Sequence, residues 1–278
     1  VPPFFAVDNT LLYLVSTPIG NLSDISLRAL EVLKACSYIL CEDTRHSRIL
    51  LERYEIKTPL RSFHKFNEKQ QEEQVVEDLR AGRDIALISD AGTPLIADPG
   101  AALVSLCRKE GLPISAIPGP CAVINALILS GFASPPFQFL GFLPKNPRDS
   151  LPAILLYPGT SVIYESPHRI KETLSLLRTL EPNRKVCIAR EMTKHYEECL
   201  IGTPPELLER CSQAPLKGEI VLLLAPPPLE EVKNKVSSEK LVAILEQELL
   251  LTRHEAIKMA AKVQGLSKRE VYKQFTND

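Results

Sequence analysis

Short apolar runs alternate with longer amphipathic stretches through the first half of the chain. Runs of this kind read as buried strands, and apolar positions spaced three or four apart read as helices with one apolar face. The alternation predicts a parallel sheet covered by helices. Strands are expected at Leu11–Ser16, Tyr38–Cys41, Leu60–Phe63, Asp84–Ser89 and Ile114–Ile117. Helices are expected at Ser26–Lys34, Thr44–Tyr54, Asn67–Ala81, Gly100–Glu110 and Cys121–Leu129. Ser134-Pro135-Pro136 reads as a linker, because consecutive prolines end a helix and stiffen the connection.

A second α/β unit comes next, with strands at Phe137–Phe142, Ser161–Tyr164, Val186–Arg190 and Ile220–Leu224. Its helices are expected near Ser150–Leu156, His168–Leu180 and Pro205–Cys211. The segment Glu198–Ile201 returns to the sheet with little room for a crossover helix, which predicts antiparallel pairing. Ala225-Pro226-Pro227-Pro228 closes this unit. Three short helices then read at Ser238–Leu250, Thr252–Val263 and Ser267–Phe275. Thr252-x-x-Glu255 and Ser267-x-x-Glu270 both fit a capping box. The expected organisation is an N-terminal α/β domain over 1–134, a C-terminal α/β domain over 135–228 and a helical tail over 229–278.

Composition narrows the picture. With 278 residues, 45% hydrophobic, 24% charged and a net charge of −1, there is volume for two cores and no overall basic excess. Contact with nucleic acid must therefore come from local patches. Seven cysteines without a C-x-x-C pair point to reduced thiols in a cytoplasmic protein. The five histidines show no ligand spacing, so no metal is expected. Val1–Asp8 lacks the basic and apolar regions of a signal peptide, and the longest apolar run, Ile220–Pro228, is too short to span a bilayer. A protein without membrane attachment is expected.

Candidate chemistry gathers where strands end. Ser89-Asp90-Ala91-Gly92-Thr93-Pro94 comes directly after the best strand, at the place where open α/β sheets bind ligands. It can also be read simply as a tight turn. Pro118-Gly119-Pro120 and Pro18-Ile19-Gly20-Asn21 end two other strands in the same way, and together the three loops suggest one shared pocket. Glu42-Asp43-Thr44-Arg45-His46 sets a carboxylate and a guanidinium at another strand end, where the plain alternative is a helix cap from Asp43 or Thr44. Arg61-Ser62-Phe63-His64-Lys65-Phe66 interleaves basic and aromatic residues as RNA-binding surfaces do, or is an ordinary half-buried strand end. Between Arg253 and Lys273 stand six Lys or Arg against two Glu, a local patch able to meet phosphate or simply a solvated face. There is no G-x-G, no G-x-x-x-x-G-K and no G-x-S-x-G, which removes dinucleotide, P-loop and serine-hydrolase readings.

Taken together, Leu12–Leu30, Glu42-Asp43-Thr44-Arg45, Ser89–Pro94 and Ile117-Pro118-Gly119-Pro120 resemble the tetrapyrrole-methylase superfamily. Tyr164–Arg169, Ala189-Arg190-Glu191, Lys217-Gly218-Glu219 and Gly265–Tyr272 are similar to its branch that methylates a cytidine 2′-hydroxyl in the decoding centre of 16S ribosomal RNA. The likeness runs from about residue 11 to 275. It implies two α/β domains with S-adenosylmethionine in the cleft between them, a homodimer, and 16S rRNA within the 30S subunit as partner. Carried over by motif, Pro18, Asp90, Gly92, Thr93, Pro94, Cys121, Ala122, Tyr164 and Gly218 are expected to bind the cofactor. Cys121 stands where serine is more usual, which points to contact through backbone alone. Leu95-Ile96-Ala97 stands where the loop usually contains glycine.

Methyl transfer from a sulfonium to a ribose hydroxyl needs alignment and removal of one proton. Glu42, Asp24 and Glu191 are candidate bases, and Arg45, Lys145 and Lys194 could orient phosphate or stabilise developing alkoxide. Glu42 and Arg45 come first because they share a strand end. Arg61, Lys65, Lys145, Lys194, Lys268 and Arg269 are the expected RNA contacts. Two other classes stay open: a small-molecule methyltransferase, which needs no basic surface, and a non-enzymatic RNA-binding protein, which needs no cofactor.

Overall fold

Side chains alternate across a strand, so a run of consecutive buried residues is satisfied only when both faces of its sheet are covered. Tyr38–Cys41 and Ile85–Ile88 are buried at every position, and Leu12–Val15 at all but one. The computed structural model describes residues 10–132, 135–148, 150–227, 237–249 and 251–274, and it shows that cover. Strands β1 (Leu12–Val15), β2 (Tyr38–Cys41), β3 (Leu60–Ser62), β4 (Ile85–Ile88) and β5 (Ile114–Ile117) form a sheet of order β3-β2-β4-β1-β5. Every neighbouring pair is parallel, as expected.

The alternation then sorts the core into two layers. Tyr13, Val15, Ile39, Cys41, Ala86 and Ile88 pack with α1 (Leu27–Ala35) and α2 (Thr44–Arg53) through Val32, Leu33, Leu50 and Leu51. Their chain neighbours Leu12, Leu40, Ile85 and Leu87 pack with α3 (Glu68–Arg80) and α4 (Ala101–Lys109) through Val75, Val76, Leu79 and Leu103. Each such aliphatic side chain contributes about 1.5–3 kcal/mol relative to leaving it in water. Because the strands are parallel, all their carboxyl ends and the loops after them lie along one edge.

The chain forms two compact units, Val1–Asn125 with Met192–His195 and Ala126–Glu191 with Tyr196–Asp278. Helix α5 (Ala122–Ser130) carries the chain from the first into the second. There β6 (Phe137–Phe142), β7 (Thr160–Glu165), β8 (Val186–Arg190), β9 (Glu198–Gly202) and β10 (Ile220–Leu224) form a sheet of order β6-β7-β10-β8-β9. Only β6 and β7 pair in parallel; β10 is antiparallel to β7 and β8, and β9 is antiparallel to β8. The antiparallel expectation for Glu198 onward holds, and Arg190 meets Glu198 across the ladder at 2.7 Å. Helices α6 (Leu151–Leu156), α7 (Ile170–Leu180) and α8 (Pro204–Gln213) supply Leu151, Leu174, Leu177 and Leu207 to one core with Ile163, Ile188 and Leu222.

Helix α7 starts two residues later than its apolar spacing predicts, because Ser166-Pro167-His168 is spent on a turn. Helix α8 starts one residue earlier, with Pro204 in the first turn behind a Thr203–Glu206 capping box. In the tail, α9 (Ser238–Glu248), α10 (Arg253–Gln264) and α11 (Lys268–Gln274) enclose a core of Leu241, Leu245, Ile257, Ala260 and Val271. Both expected capping boxes form, Thr252 with Glu255 and Ser267 with Glu270. The expectations for Val1–Asp8, Ser134, Pro228, residues 229–236, Leu250 and Phe275 lie outside the described residues. Among the described residues no helix is long and apolar enough to cross a membrane.

One buried carboxylate braces the first sheet. Asp78 of α3 is 4% exposed and accepts from Tyr38 Oη of β2 at 2.8 Å, Arg61 of β3 at 3.1 Å and Arg83 at 3.0 Å. Removing it leaves a buried phenol and two guanidinium groups without their acceptor. Asp78→Ala should lower the unfolding free energy by roughly 2–4 kcal/mol in a urea titration; a loss below about 0.5 kcal/mol would contradict this bracing role.

Candidate functional site

The loops at the carboxyl edge of the first sheet are tied into one body by their own backbone. Thr17 N donates to Gly92 O at 2.9 Å and Gly92 N donates to Thr17 O at 3.1 Å, an isolated antiparallel bridge between the loops after β1 and β4. Thr17 Oγ1 donates to Ser89 O at 3.1 Å, and Ser89 Oγ donates to Gly92 O at 3.1 Å. Thr93 Oγ1 accepts from Ser16 Oγ and donates to Pro120 O, both at 3.2 Å, which adds the loop after β5. Gly92 sits at φ +82, and a Cβ there would lie 3.2 Å from Ile19 Cγ2. Its freedom serves the close approach to the Thr17 loop. The three Gly/Pro loops are thus brought together, with Pro18 and Pro94 buried and Thr93, Cys121 and Ala122 half-buried.

The connection from β2 runs to β3 at one side of the sheet, while that from β4 runs to β5 at the other. Between strands whose connections diverge, the edge opens into a crevice. A cleft of about 450 Å³ lies there, lined by Glu42, Asp43, Thr44, Arg45, Ser62, His64, Lys65, Phe66 and Asp90. It brings the Glu42–Arg45 candidates, Lys65 and Asp90 to one place. Asp90 Oδ1 accepts from Asp43 N at 3.2 Å, and Oδ2 has no hydrogen-bond partner among the described residues.

The polar run after β2 serves two purposes. Asp43 is the helix cap of α2: its Oδ1 accepts from Arg45 N at 2.8 Å. The same carboxylate holds the Arg45 guanidinium from two sides, at 3.1 and 2.7 Å, and these hydrogen bonds keep Asp43 far below the usual carboxylate range. Arg45 is thereby fixed in direction while its side chain stays 91% exposed. Glu42 is exposed at the mouth of the cleft. Asp98 belongs to the same electrostatic group and was not among the sequence candidates. Burial, then the nearby charges of Glu42 and Asp90, push its carboxyl up to about 6. Its only signal in the sequence is a carboxylate a few residues past the Ser89–Pro94 loop, which fixes no proximity.

The segment Ser62–Asn67 divides its residues. Phe63 enters the core at 1% exposed, while Phe66 stands 90% exposed beside the cleft. Arg61 does not join them: it pairs with Asp78, and its guanidinium lies 3.6 Å over the Tyr38 ring. Of the other expected RNA contacts, Lys194 packs beside Gly20 in the first unit, where Asn21 N donates to Thr193 Oγ1 at 3.0 Å. Asp24 is exposed at the end of a single 3-10 turn, Leu22–Asp24.

In the second unit Tyr164 packs edge-on against Phe139, with ring centroids 4.9 Å apart. Gly218, at φ +85, faces Glu191, whose Oε1 accepts from Glu219 N at 3.0 Å and would meet a Cβ on residue 218 at 2.1 Å. Glu191 is thus engaged in shaping this turn. Lys145 is exposed after β6, and Lys268 and Arg269 are exposed in the first turn of α11. Among the described residues no group of three His, Cys, Asp or Glu side chains is placed to hold a metal ion.

Comparison with known proteins gives one consistent picture. Residues 11–208 match the family of Tetrapyrrole (Corrin/Porphyrin) Methylases. The chain is 42% identical over 272 residues to the ribosomal RNA small subunit methyltransferase I of Halalkalibacterium halodurans, covering 95% of this chain and 94% of that one. It is 40% identical over 273 residues to the protein of the same name from Bacillus subtilis, covering 95% and 94%. Among solved structures, it is similar to diphthine synthase (TM-score 0.62, 14% identity, 78% of this chain and 90% of that one). It is also similar to uroporphyrin-III-C-methyltransferase from Thermus thermophilus (TM-score 0.57, 18% identity, 78% and 94%).

The raised Asp98 carboxyl makes stability depend on pH. Between its ordinary 3.8 and about 6, the folded protein keeps a proton that the unfolded chain has released. Stability therefore falls as pH rises through that window. Asp98→Asn removes the loss, so the ligand-free variant should melt above wild type near pH 8, with the gain gone near pH 4. An equal difference at both pH values would contradict the assignment.

Proposed function

The chain belongs to the tetrapyrrole (corrin/porphyrin) methylase family, and from that premise we propose that it methylates the 2′-hydroxyl of a decoding-centre cytidine of 16S ribosomal RNA in the 30S subunit. It is an S-adenosylmethionine-dependent methyltransferase, and the names of its relatives support ribosomal RNA as the acceptor. The observation that carries the finer reading is the cleft outside β2 and β4. It sets a carboxylate, a fixed guanidinium and an exposed lysine beside the tied Ser89–Pro94 loop.

The loops fit the cofactor. Asp90 Oδ2 is available to accept from a hydroxyl or an ammonium group, and the bridged loops give it a fixed mounting. By motif, Pro18, Asp90, Gly92, Thr93, Pro94, Cys121, Ala122, Tyr164 and Gly218 are the residues proposed to hold it. When bound, S-adenosylmethionine supplies a methyl group already activated by its sulfonium. Glu42 takes the proton from the attacking 2′-hydroxyl, and its exposed position at the cleft mouth leaves room for an RNA strand. Arg45 steadies the developing alkoxide or the flanking phosphate, held in direction by Asp43. Lys65, Lys194, Lys145, Lys268 and Arg269 meet phosphates; Arg61 contributes mainly through Asp78.

A homodimer is part of the same proposal. On α5, Ile124, Ile128 and Leu129 are 45%, 70% and 44% exposed, an apolar face that a second copy would cover. Ile128→Glu should convert a dimer to a monomer in light scattering after gel filtration; an unchanged mass would remove α5 from the interface.

Labelled S-adenosylmethionine should mark RNA when incubated with 30S subunits, naked 16S RNA and a panel of small tetrapyrroles. Label on a small molecule and on no RNA would contradict the proposal. Glu42→Gln should cost more than about tenfold in single-turnover rate with cofactor affinity unchanged. A smaller loss would end its role as base.

A further inference from the structure

Among the described residues of the first unit Phe66 is the most exposed large apolar side chain, at 90%, and it stands on a loop held by its own hydrogen bonds. Asn67 Oδ1 accepts from His64 N at 2.7 Å, and Asn67 Nδ2 donates to Ser62 O at 3.0 Å. Gln71 Nε2 donates to the same carbonyl at 2.8 Å, and the N–H groups of Asn67 and Glu68 both donate to His64 O at 2.9 Å. Phe66 N itself donates to His64 Nδ1 at 3.3 Å, and the His64 ring meets the Phe66 ring edge-on, centroids 6.0 Å apart. Six hydrogen bonds thus pin a short turn whose one large apolar group faces water. Phe63, three residues earlier, fills the core, so the outward Phe66 is not a spare core residue.

The surroundings specify what would cover it. Phe66 shares the cleft with Lys65, Arg45, Glu42 and Asp90, so an occupant must offer a flat apolar face beside anionic and hydroxyl groups. A nucleotide with its base unstacked offers all three: a π-face, a phosphate and a ribose hydroxyl. We propose that Phe66 is a stacking platform for an unpaired nucleobase of the acceptor strand, so that the cleft recognises nucleotides extruded from their helix. This rests on the RNA reading above and adds a residue that binds the base rather than the reacting hydroxyl. A loop already pinned in its backbone loses little freedom when its aromatic side chain stacks, which leaves more of the contact's strength for binding.

Three variants separate stacking from plain apolar contact. Phe66→Ala should raise the KM for 30S acceptor about tenfold, with kcat at saturating acceptor and cofactor affinity by calorimetry changed by less than about threefold. Phe66→Leu should behave like the alanine variant, while Phe66→Trp should restore wild-type KM. Because the chain contains no tryptophan, the introduced indole is a sole reporter, and its fluorescence should fall when acceptor is added. All three should melt like wild type, since the side chain contributes little to the core. The proposal is overturned if Phe66→Ala leaves KM within about twofold, if leucine rescues as well as tryptophan, or if the alanine variant acts by changing the oligomeric state. Should wild type label no RNA at all, the parent reading fails and this one with it. If wild type labels RNA and Phe66→Ala is unchanged, only the platform fails.

Discussion

Two backbone hydrogen bonds, between Thr17 and Gly92, decide what the carboxyl edge of the first sheet can be. Strand-end loops left to themselves are mobile and diverge. Here the loop after β4 is stitched as a one-residue ladder to the loop after β1, and Thr93 extends the seam to the loop after β5. The bridge needs φ +82 at residue 92 and a close approach to Ile19, both of which a side chain would resist. Its consequence is positional: Asp90 is held between the bridged residues and the start of α2, whose Asp43 N–H it accepts. A preorganised carboxylate orients a ligand without the entropy cost of freezing a loop on binding.

Electrostatics at the cleft depend on the same placement. Parallel strands β2 and β4 bring Glu42, Asp90 and Asp98 within range of one another, and the cost falls on Asp98, through its own burial first and then through the two neighbouring charges. Asp43 has the opposite fate because it holds Arg45 with both oxygens. One edge therefore carries a carboxylate that resists ionisation, one that is ionised and committed to Arg45, and Glu42 exposed between cleft and solvent. Lys65 of the Ser62–Asn67 turn and Arg45 of α2, the latter already paired with Asp43, set positive charge at the rim of this acidic floor.

The architecture was largely legible in the sequence because hydrophobic pattern reports burial directly. Tyr38–Cys41 and Asp84–Ser89 read as strands, and the observed strands Tyr38–Cys41 and Ile85–Ile88 are buried at every residue. The return of the chain at Glu198 gave the antiparallel pairing from length alone. Individual side-chain fates were less visible. The run Arg61–Phe66 reads either as a basic-aromatic surface or as a half-buried strand end, and the structure divides it: Arg61 turns to the buried Asp78 and Phe63 to the core, leaving Lys65 and Phe66 at the cleft. The partner that captures Arg61 lies 17 residues away on α3, a distance that local pattern does not encode. Asp98 is silent in the local pattern for the same reason: its neighbours Glu42 and Asp90 arrive through the sheet. The shift in α7 came from a Ser-Pro turn that apolar spacing cannot see.

The chemical fate of the methyl group tests the proposed reaction most directly. A ribose 2′-oxygen that carries methyl cannot attack its own phosphodiester, so alkali leaves that linkage intact, whereas a methyl on a base gives no such protection. Alkaline digestion of 30S RNA labelled by this enzyme should yield its label in an alkali-stable dinucleotide with cytidine on the 5′ side. Label recovered in mononucleotides, or at a nucleoside other than cytidine, would contradict it.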